Sequence, residues 1–153
     1  MVNLNPYLSF RTETREALEF YRTALGGTVE VMPFGDMPMP DLPQGAENLV
    51  MHGSLTTEHG LTLMAADSPE GMMPYEAPSG GVTVALTGGS ADREYIAAAY
   101  EKLSEGASDV LPFEPAPWGD VYGSLKDKYG VSWMFDCGTP ESEAAAAQAG
   151  QQG

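Results

Sequence analysis

The chain repeats itself, and a repeat constrains a fold more than composition does, because one supersecondary unit must serve twice. Residues 21–34 align with residues 100–113 at an offset of 79, pairing Tyr21 with Tyr100, Gly27 with Gly106 and Phe34 with Phe113. Residues 52–64 align with residues 122–134 at an offset of 70, with Gly, Ser, Leu, Gly and Met in identical places. The offset falls by nine, so the first half carries nine extra residues between its matching blocks. They fall in the Pro/Met-rich stretch 35–45. Pro38, Pro40 and Pro43 exclude helix and central strand there, so it reads as a loop.

Each half has one helical pattern. Over residues 13–25, Ala17, Leu18, Tyr21, Ala24 and Leu25 share a face, and Gly26-Gly27 stops the helix. Over residues 90–104, Ile96, Ala99, Tyr100 and Leu103 recur at helical spacing, with Ser90 as the expected N-cap and Gly106 past the end. Short strands precede the helices, at residues 5–10 and 82–87. Three more strands follow each helix and end in hairpins over 50–66 and 120–136, turning at Gly60 and Gly130. The order is βαβββ twice, an α+β class. The expected organisation is a first module over 1–66, a Pro/Gly-rich linker over 67–80 and a second module over 81–138, within one domain. Residues 139–153 have almost nothing to bury and are expected to be disordered or weakly helical.

Charge narrows the partners. The 153 residues hold 7 Lys+Arg against 22 Asp+Glu, a formal net charge of −15. Such a surface repels phosphate backbones and anionic lipid, which argues against nucleic acid and membrane as partners. The lone Cys137 can form no internal bridge and no thiolate zinc cage. Residues 1–10 lack the basic start and apolar run of a signal peptide, and no apolar stretch approaches bilayer length. The expectation is a soluble, cytoplasmic protein.

Several segments resemble the vicinal-oxygen-chelate superfamily (glyoxalases, bleomycin-resistance proteins and extradiol dioxygenases), and its PhnB-like branch in particular. They are Pro6-Tyr-Leu-Ser-Phe10, Glu16-Ala-Leu-Glu-Phe-Tyr21, Phe34-Gly-Asp-Met-Pro38, Met51-His52, Leu63-Met-Ala-Ala-Asp67, Trp118-Gly-Asp-Val-Tyr-Gly123 and Asp127-Lys-Tyr-Gly-Val-Ser-Trp133. The resemblance runs from about residue 5 to 137. It implies that the two βαβββ modules form a curved, cup-like mixed sheet with helices outside and a ligand in the cup. It also implies a homodimer. Some members of that branch carry a demethylubiquinone methyltransferase label, but the chain has no glycine-rich strand–turn–helix to hold a nucleotide-type methyl donor.

Within the implied cup, strand alternation selects the side chains that face the ligand. His52, Ser54 and Met64 in the first half, and Tyr122, Ser124, Met134 and Asp136 in the second, share the inward parity. Met32, Phe34, Leu111 and Phe113 are expected to face the same way. His52 and Tyr122 are the candidate catalytic pair, a neutral imidazole accepting a proton while a phenol donates a hydrogen bond. A half-buried structural histidine is the competing reading for His52. Asp120 and Asp136 are candidates for a rim carboxylate or for turn capping, and Trp118 for covering the pocket or stapling the hairpin. His59 reads as a solvated turn residue and Cys137 as packing. The methionines adapt to irregular apolar gaps, as lid or as filler.

Metal-dependent members of the superfamily hold an ion through His, Gln or Glu on the first and last strands of each module. The last-strand pattern Asp-x-x-Gly-x-x-x-Glu here reads Asp127, Gly130 and Met134, with Met64 at the matching place in the first half. Thioethers suit hard or borderline cations poorly. The first-strand positions near Asn5 or Tyr7 and near Gly81 or Thr83 offer no His or carboxylate. The expectation is a protein without metal or other cofactor that binds a small organic ligand. Two alternatives stay open, a lyase- or isomerase-type enzyme using His52 with a carboxylate, and a drug- or toxin-sequestering protein whose acidity attracts basic ligands.

Overall fold

The computed structural model describes residues 1–78 and 81–151, in two compact units that divide between residues 80 and 81. In the first unit, β1 (Tyr7–Phe10) leads into α1 (Thr14–Leu25), β2 (Thr28–Pro33), a single 3₁₀ turn (Phe34–Asp36), β3 (Val50–Thr56) and β4 (Thr62–Asp67). The second unit repeats the order. It contains β5 (Thr83–Gly88), a 3₁₀ turn (Ser90–Asp92), α2 (Arg93–Leu103), β6 (Ser108–Pro115), β7 (Val121–Lys126) and β8 (Ser132–Cys137), and adds α3 (Pro140–Gly150). Each unit holds one four-stranded sheet, ordered β1-β4-β3-β2 and β5-β8-β7-β6. The first and last strands of each unit pair in parallel and the rest antiparallel. This is a mixed α+β architecture built twice.

A helix covers one face of each sheet because the periodicities match. In α1, Ala17, Leu18, Tyr21 and Leu25 are buried on one side, against Leu55, Leu63 and Ala65 from the strands. In the second unit Ile96, Ala99 and Leu103 supply the stripe, above Leu125, Trp133 and Phe135. Tyr100 meets Phe135 edge-on at 5.2 Å. Gly27, between α1 and β2, has φ +97°, and an added Cβ would lie 2.2 Å from the carbonyl oxygen of Thr56. Both the left-handed backbone and the close approach demand glycine there.

Buried carboxylates pin the turns. Asp67, at the end of β4, accepts the Thr14 N–H at 3.0 Å through Oδ1 and the Val50 N–H at 2.8 Å through Oδ2. Asp127, at the β7–β8 turn, accepts the N–H of Tyr129 and Val131 through Oδ1 and the indole N–H of Trp133 through Oδ2. Helix α3 buries no residue. It is held by polar contacts instead. Thr139 and Ser142 form a reciprocal cap, and the Glu143 carboxylate accepts the Ser90 N–H at 2.6 Å and the Ser90 hydroxyl at 2.8 Å.

Candidate functional site

The face of each sheet away from its helix is open. In the first unit β3 alternates from His52 onward, burying Gly53 and Leu55 and leaving His52 and Ser54 half-buried on the open side. Register carries that face across the sheet. Tyr7 lies beside Met64, Met64 beside Ser54 and Ser54 beside Glu30, while His52 lies beside Met32. The Tyr7 hydroxyl and His52 Nδ1 are 2.9 Å apart, and their rings lie 5.6 Å apart.

The chemistry of that pair follows from the phenol. Tyr7 is 53% exposed, yet partial burial raises its pKa above the usual tyrosine value, so it is a neutral hydroxyl near pH 7. Against a neutral imidazole the hydroxyl donates to Nδ1, which places the ring proton on Nε2. The pair then offers an N–H donor at the far side of the imidazole. If the imidazole is protonated, the bond reverses and Nδ1–H donates to the phenol oxygen. A first-strand tyrosine thus orients His52. Tyr7 reaches His52 because β1 pairs in parallel with β4, which puts Tyr7 beside Met64 on the same face.

In the second unit the open face carries three rows. Thr83, Ser132, Lys126 and Ser108 form one, Ala85, Met134, Ser124 and Leu111 the next, and Thr87, Asp136, Tyr122 and Glu114 the third. A groove of about 300 Å³ opens there, lined by Thr83, Tyr122, Ser124, Lys126, Ser132 and Met134 among others. The sequence reading does not single out Lys126. Lys126 gives this groove a cation in a strongly acidic chain.

Two apolar side chains leave the faces alternation assigns them. Phe113 is expected to share a face with Leu111, but β6 bulges once between Ser108 and Leu111 and again between Leu111 and Glu114. The second bulge flips parity, as one extra residue must. Phe113 turns to the helix side and stacks on Tyr100 at 5.6 Å, while Leu111 stays on the open face beside Ser124. Gly123 permits this. A Cβ there would sit 2.9 Å from the Phe113 Cα. Phe34 is 3% exposed and begins the 3₁₀ turn that ends β2, so it enters the core of the first unit instead of the open face. Met32, the last open-face residue of β2, remains exposed.

Trp118, Asp120 and Asp136 gather at one end of the second sheet, around a cavity of about 360 Å³ that Glu143 also lines. Trp118 is 59% exposed and meets Tyr122 edge-on at 5.4 Å. Burial raises the pKa of Asp136, and its hydrogen bond with Asp120 and the Asp120 charge raise it further, while a hydrogen bond with Trp118 pulls the other way. Asp136 therefore holds its proton more readily with Asp120 beside it than it would alone. Because the folded-state pKa is raised, the stabilising form is the protonated one, and it is lost as pH rises through that midpoint. Asp120→Asn should therefore bring the Asp136 midpoint down and raise stability at neutral pH by about 0.5 kcal/mol, solvent screening keeping the gain small. The gain should vanish in acid. Carboxyl-detected NMR titration and urea unfolding at both pH values check it, and an unmoved midpoint would contradict the pairing. Cys137, buried and donating its thiol hydrogen toward the Gly89 carbonyl at 3.2 Å, has its pKa raised by burial first of all. That is a packing thiol, not a nucleophile.

The comparison with known proteins follows this geometry. The model of the Glyoxalase/Bleomycin resistance protein/Dioxygenase superfamily matches residues 3–135. The chain belongs to that superfamily. Protein PA1353 of Pseudomonas aeruginosa is 34% identical, with a TM-score of 0.75 over 90% of this chain and 98% of that one. A Bacillus cereus structure described as a putative 3-demethylubiquinone-9 3-methyltransferase, PhnB protein, is 26% identical, with a TM-score of 0.64 over 89% and 99% of the two chains. Protein YjdN of Escherichia coli K12 is 24% identical over 87% of this chain and 93% of its own. The superfamily assignment and the PhnB-like resemblance both stand on these findings. No helix among the described residues is long and apolar enough to cross a membrane.

Superfamily membership raises the question of a metal. On the first and last strands of the units the open-face side chains include Tyr7 and Met64, and Thr83, Ala85 and Met134. Among the described residues no group of three or more His, Cys, Asp or Glu comes together in a way that could hold an ion. Two thioethers and a few hydroxyls, with Asp136 as the one carboxylate among these open-face side chains, make a donor set that fits a divalent cation poorly.

Proposed function

We propose that this superfamily member binds a small organic ligand on the open faces of its sheets, without a metal ion. The observation that carries the reading is the Tyr7–His52 hydrogen bond at 2.9 Å. It fixes a polar group on a face that otherwise carries Met32, Met64, small side chains and, on β2, the Glu30 carboxylate. A few oriented polar groups among apolar ones suit a ligand with an oxygen to anchor and a hydrocarbon body. The net charge of −15 attracts cationic ligands and favours the sequestering form of this reading.

The same pair supports a second reading as acid–base machinery. Its partner for the imidazole is the Tyr7 phenol, in place of the carboxylate expected from the sequence, and a phenol–imidazole pair can relay a proton during a lyase or isomerase step. Mass spectrometry of molecules that copurify with the protein, followed by incubation of each with substoichiometric protein, separates the two. Release of one molecule per site without conversion supports binding. Many turnovers per protein establish an enzyme, and no copurifying or binding molecule sinks both.

Metal independence is testable without a ligand. Nickel, zinc or manganese should leave the thermal midpoint unchanged, because binding to the native state would raise stability with the logarithm of free metal above its dissociation constant. A rise of that form, reversed by chelation, would overturn the metal-free reading. A symmetric homodimer is part of the same proposal, as the commonest closed assembly and the one that protects sheet edges. Sedimentation at micromolar concentration showing only a 16.2 kDa species would remove it.

A further inference from the structure

The nine-residue insertion of the first half has no part in the reading above, and it covers a cavity. The segment is anchored at its return, where the Phe34 N–H donates to the Leu49 carbonyl at 2.9 Å and the Gly35 N–H to the Glu47 carbonyl at 2.9 Å. Pro43, Gln44, Ala46 and Leu49 then wall a cavity of about 470 Å³. Its opposite side is formed by Arg11 and Thr12, just past β1, and by Ser68, Pro69 and Glu70, just past β4. The two strands run parallel, so the cavity opens at their carboxyl ends, beyond the edge of the open face.

Arg11 gives the cavity its chemistry. One face of its guanidinium lies over the Tyr75 ring at 4.4 Å, and Nη1 donates to the Ser68 carbonyl at 3.2 Å. Ser68 is itself tied down, its N–H donating to the Phe10 carbonyl at 2.7 Å. Among the described residues no carboxylate lies within ion-pair distance of this guanidinium, in a chain with 22 acidic side chains and 7 basic ones. The nearby Glu13 carboxylate is turned to the backbone N–H groups of Arg11 and Thr12. A guanidinium has five N–H donors in a planar fork that matches a carboxylate. Stacking and one backbone bond orient this fork at the wall of a cavity, with no ion-pair partner among the described residues.

We propose that this cavity is a second binding site, which takes a small organic monocarboxylate. Arg11 receives the carboxylate through charge-assisted hydrogen bonds. Pro43, Ala46, Leu49 and Pro69 receive the hydrocarbon body. Glu70 on the lining, Glu13 nearby and the overall acidity disfavour dianions and phosphate esters. The volume suits a small molecule.

Benzoate is a suitable probe, followed by amide NMR of the full chain. It should shift Thr12, Ala46, Ser68 and the Gln44 side-chain amide saturably, in the millimolar range, with inorganic phosphate failing to compete. Arg11→Met should weaken this binding about tenfold or more. Gln44→Trp, which leaves Arg11 intact and crowds the mouth from an exposed position, should block it too and keeps the test open if the arginine variant misfolds. Binding within about twofold of the wild type in both variants would overturn the proposal. So would shifts confined to Tyr7, His52 and Met64, or displacement by phosphate. None of these outcomes depends on the open-face ligand, so the two sites can fail separately.

Discussion

Asp127→Ala should cost the full chain about 3 kcal/mol or more, because it strands buried donors that a charged acceptor now satisfies. Asp127 is 3% exposed, and its carboxylate takes the N–H groups of Tyr129 and Val131 and the indole N–H of Trp133. No methyl group replaces three acceptances, and water has little access. The β7–β8 turn would keep its two backbone bonds but lose the two that the carboxylate adds, and Trp133, the largest fully buried side chain, would keep its ring but lose its polar anchor. Asp127→Asn should cost less, since its amide oxygen still accepts while its NH₂ faces a donor. The repeat supplies an internal control. The equivalent position is Thr57, whose hydroxyl accepts the Leu61 N–H at 3.2 Å, so Thr57→Ala should cost about 1 kcal/mol. Urea unfolding measures all three. A loss under about 1 kcal/mol for Asp127→Ala would show that solvent or a neighbour replaces the carboxylate. The residue that opens the superfamily's last-strand pattern thus has a structural task here, whatever its last member has become.

Much of this architecture was legible because it rests on periods and on glycine positions. The offset of 70 superimposes the β3–β4 hairpin on β7–β8, so that Gly53 and Gly123, Leu55 and Leu125, and Met64 and Met134 occupy equivalent places in two sheets of the same strand order. A tight turn at Gly60 or Gly130 fixes register, and register fixes which side chains face away from the helix. The faces of His52, Ser54, Tyr122 and Ser124 followed from that. Phe113 did not. Residues 108–115 hint at the irregularity only through Pro112, which lies between Leu111 and Glu114 inside the second bulge, while Asp109 adopts φ +50°, a conformation visible only in three dimensions. Phe34 failed for a related reason. Parity ends where the strand does, and the strand ends at Pro33.

Polar tethers were the other blind spot. Alternation and amphipathicity register apolar burial, so they find helices α1 and α2 and pass over α3, which buries nothing. Its place depends on Glu143 reaching Ser90, 53 residues earlier in the chain. The Tyr7–His52 bond spans 45 residues and is equally invisible to a local window. Both arise because parallel pairing brings the start of a unit beside its end. The candidate site is therefore assembled by topology from residues whose local sequence looks ordinary.

The largest functional effect should come from His52→Ala, which ought to weaken binding of whatever molecule copurifies by more than about tenfold, or about 1.4 kcal/mol, with the fold intact. The fold should survive because His52 is on the open face and its hydrogen-bond partner is an exposed-side phenol, not a core group. What is lost is an oriented donor. With Tyr7 donating to Nδ1, the Nε2–H is presented to ligand in one tautomer. Tyr7→Phe keeps both rings but releases the imidazole to either tautomer, so it should cost less, about threefold or roughly 0.7 kcal/mol. Tyr122→Phe also keeps its ring against Trp118 and should likewise fall short of the histidine variant. Calorimetric titration with circular dichroism as the folding control reads all three. The order matters as much as the sizes. A Tyr7→Phe loss as deep as that of His52→Ala would make the phenol itself the ligand contact. Binding within about twofold of the wild type in His52→Ala would leave the open face of the first unit without its proposed anchor.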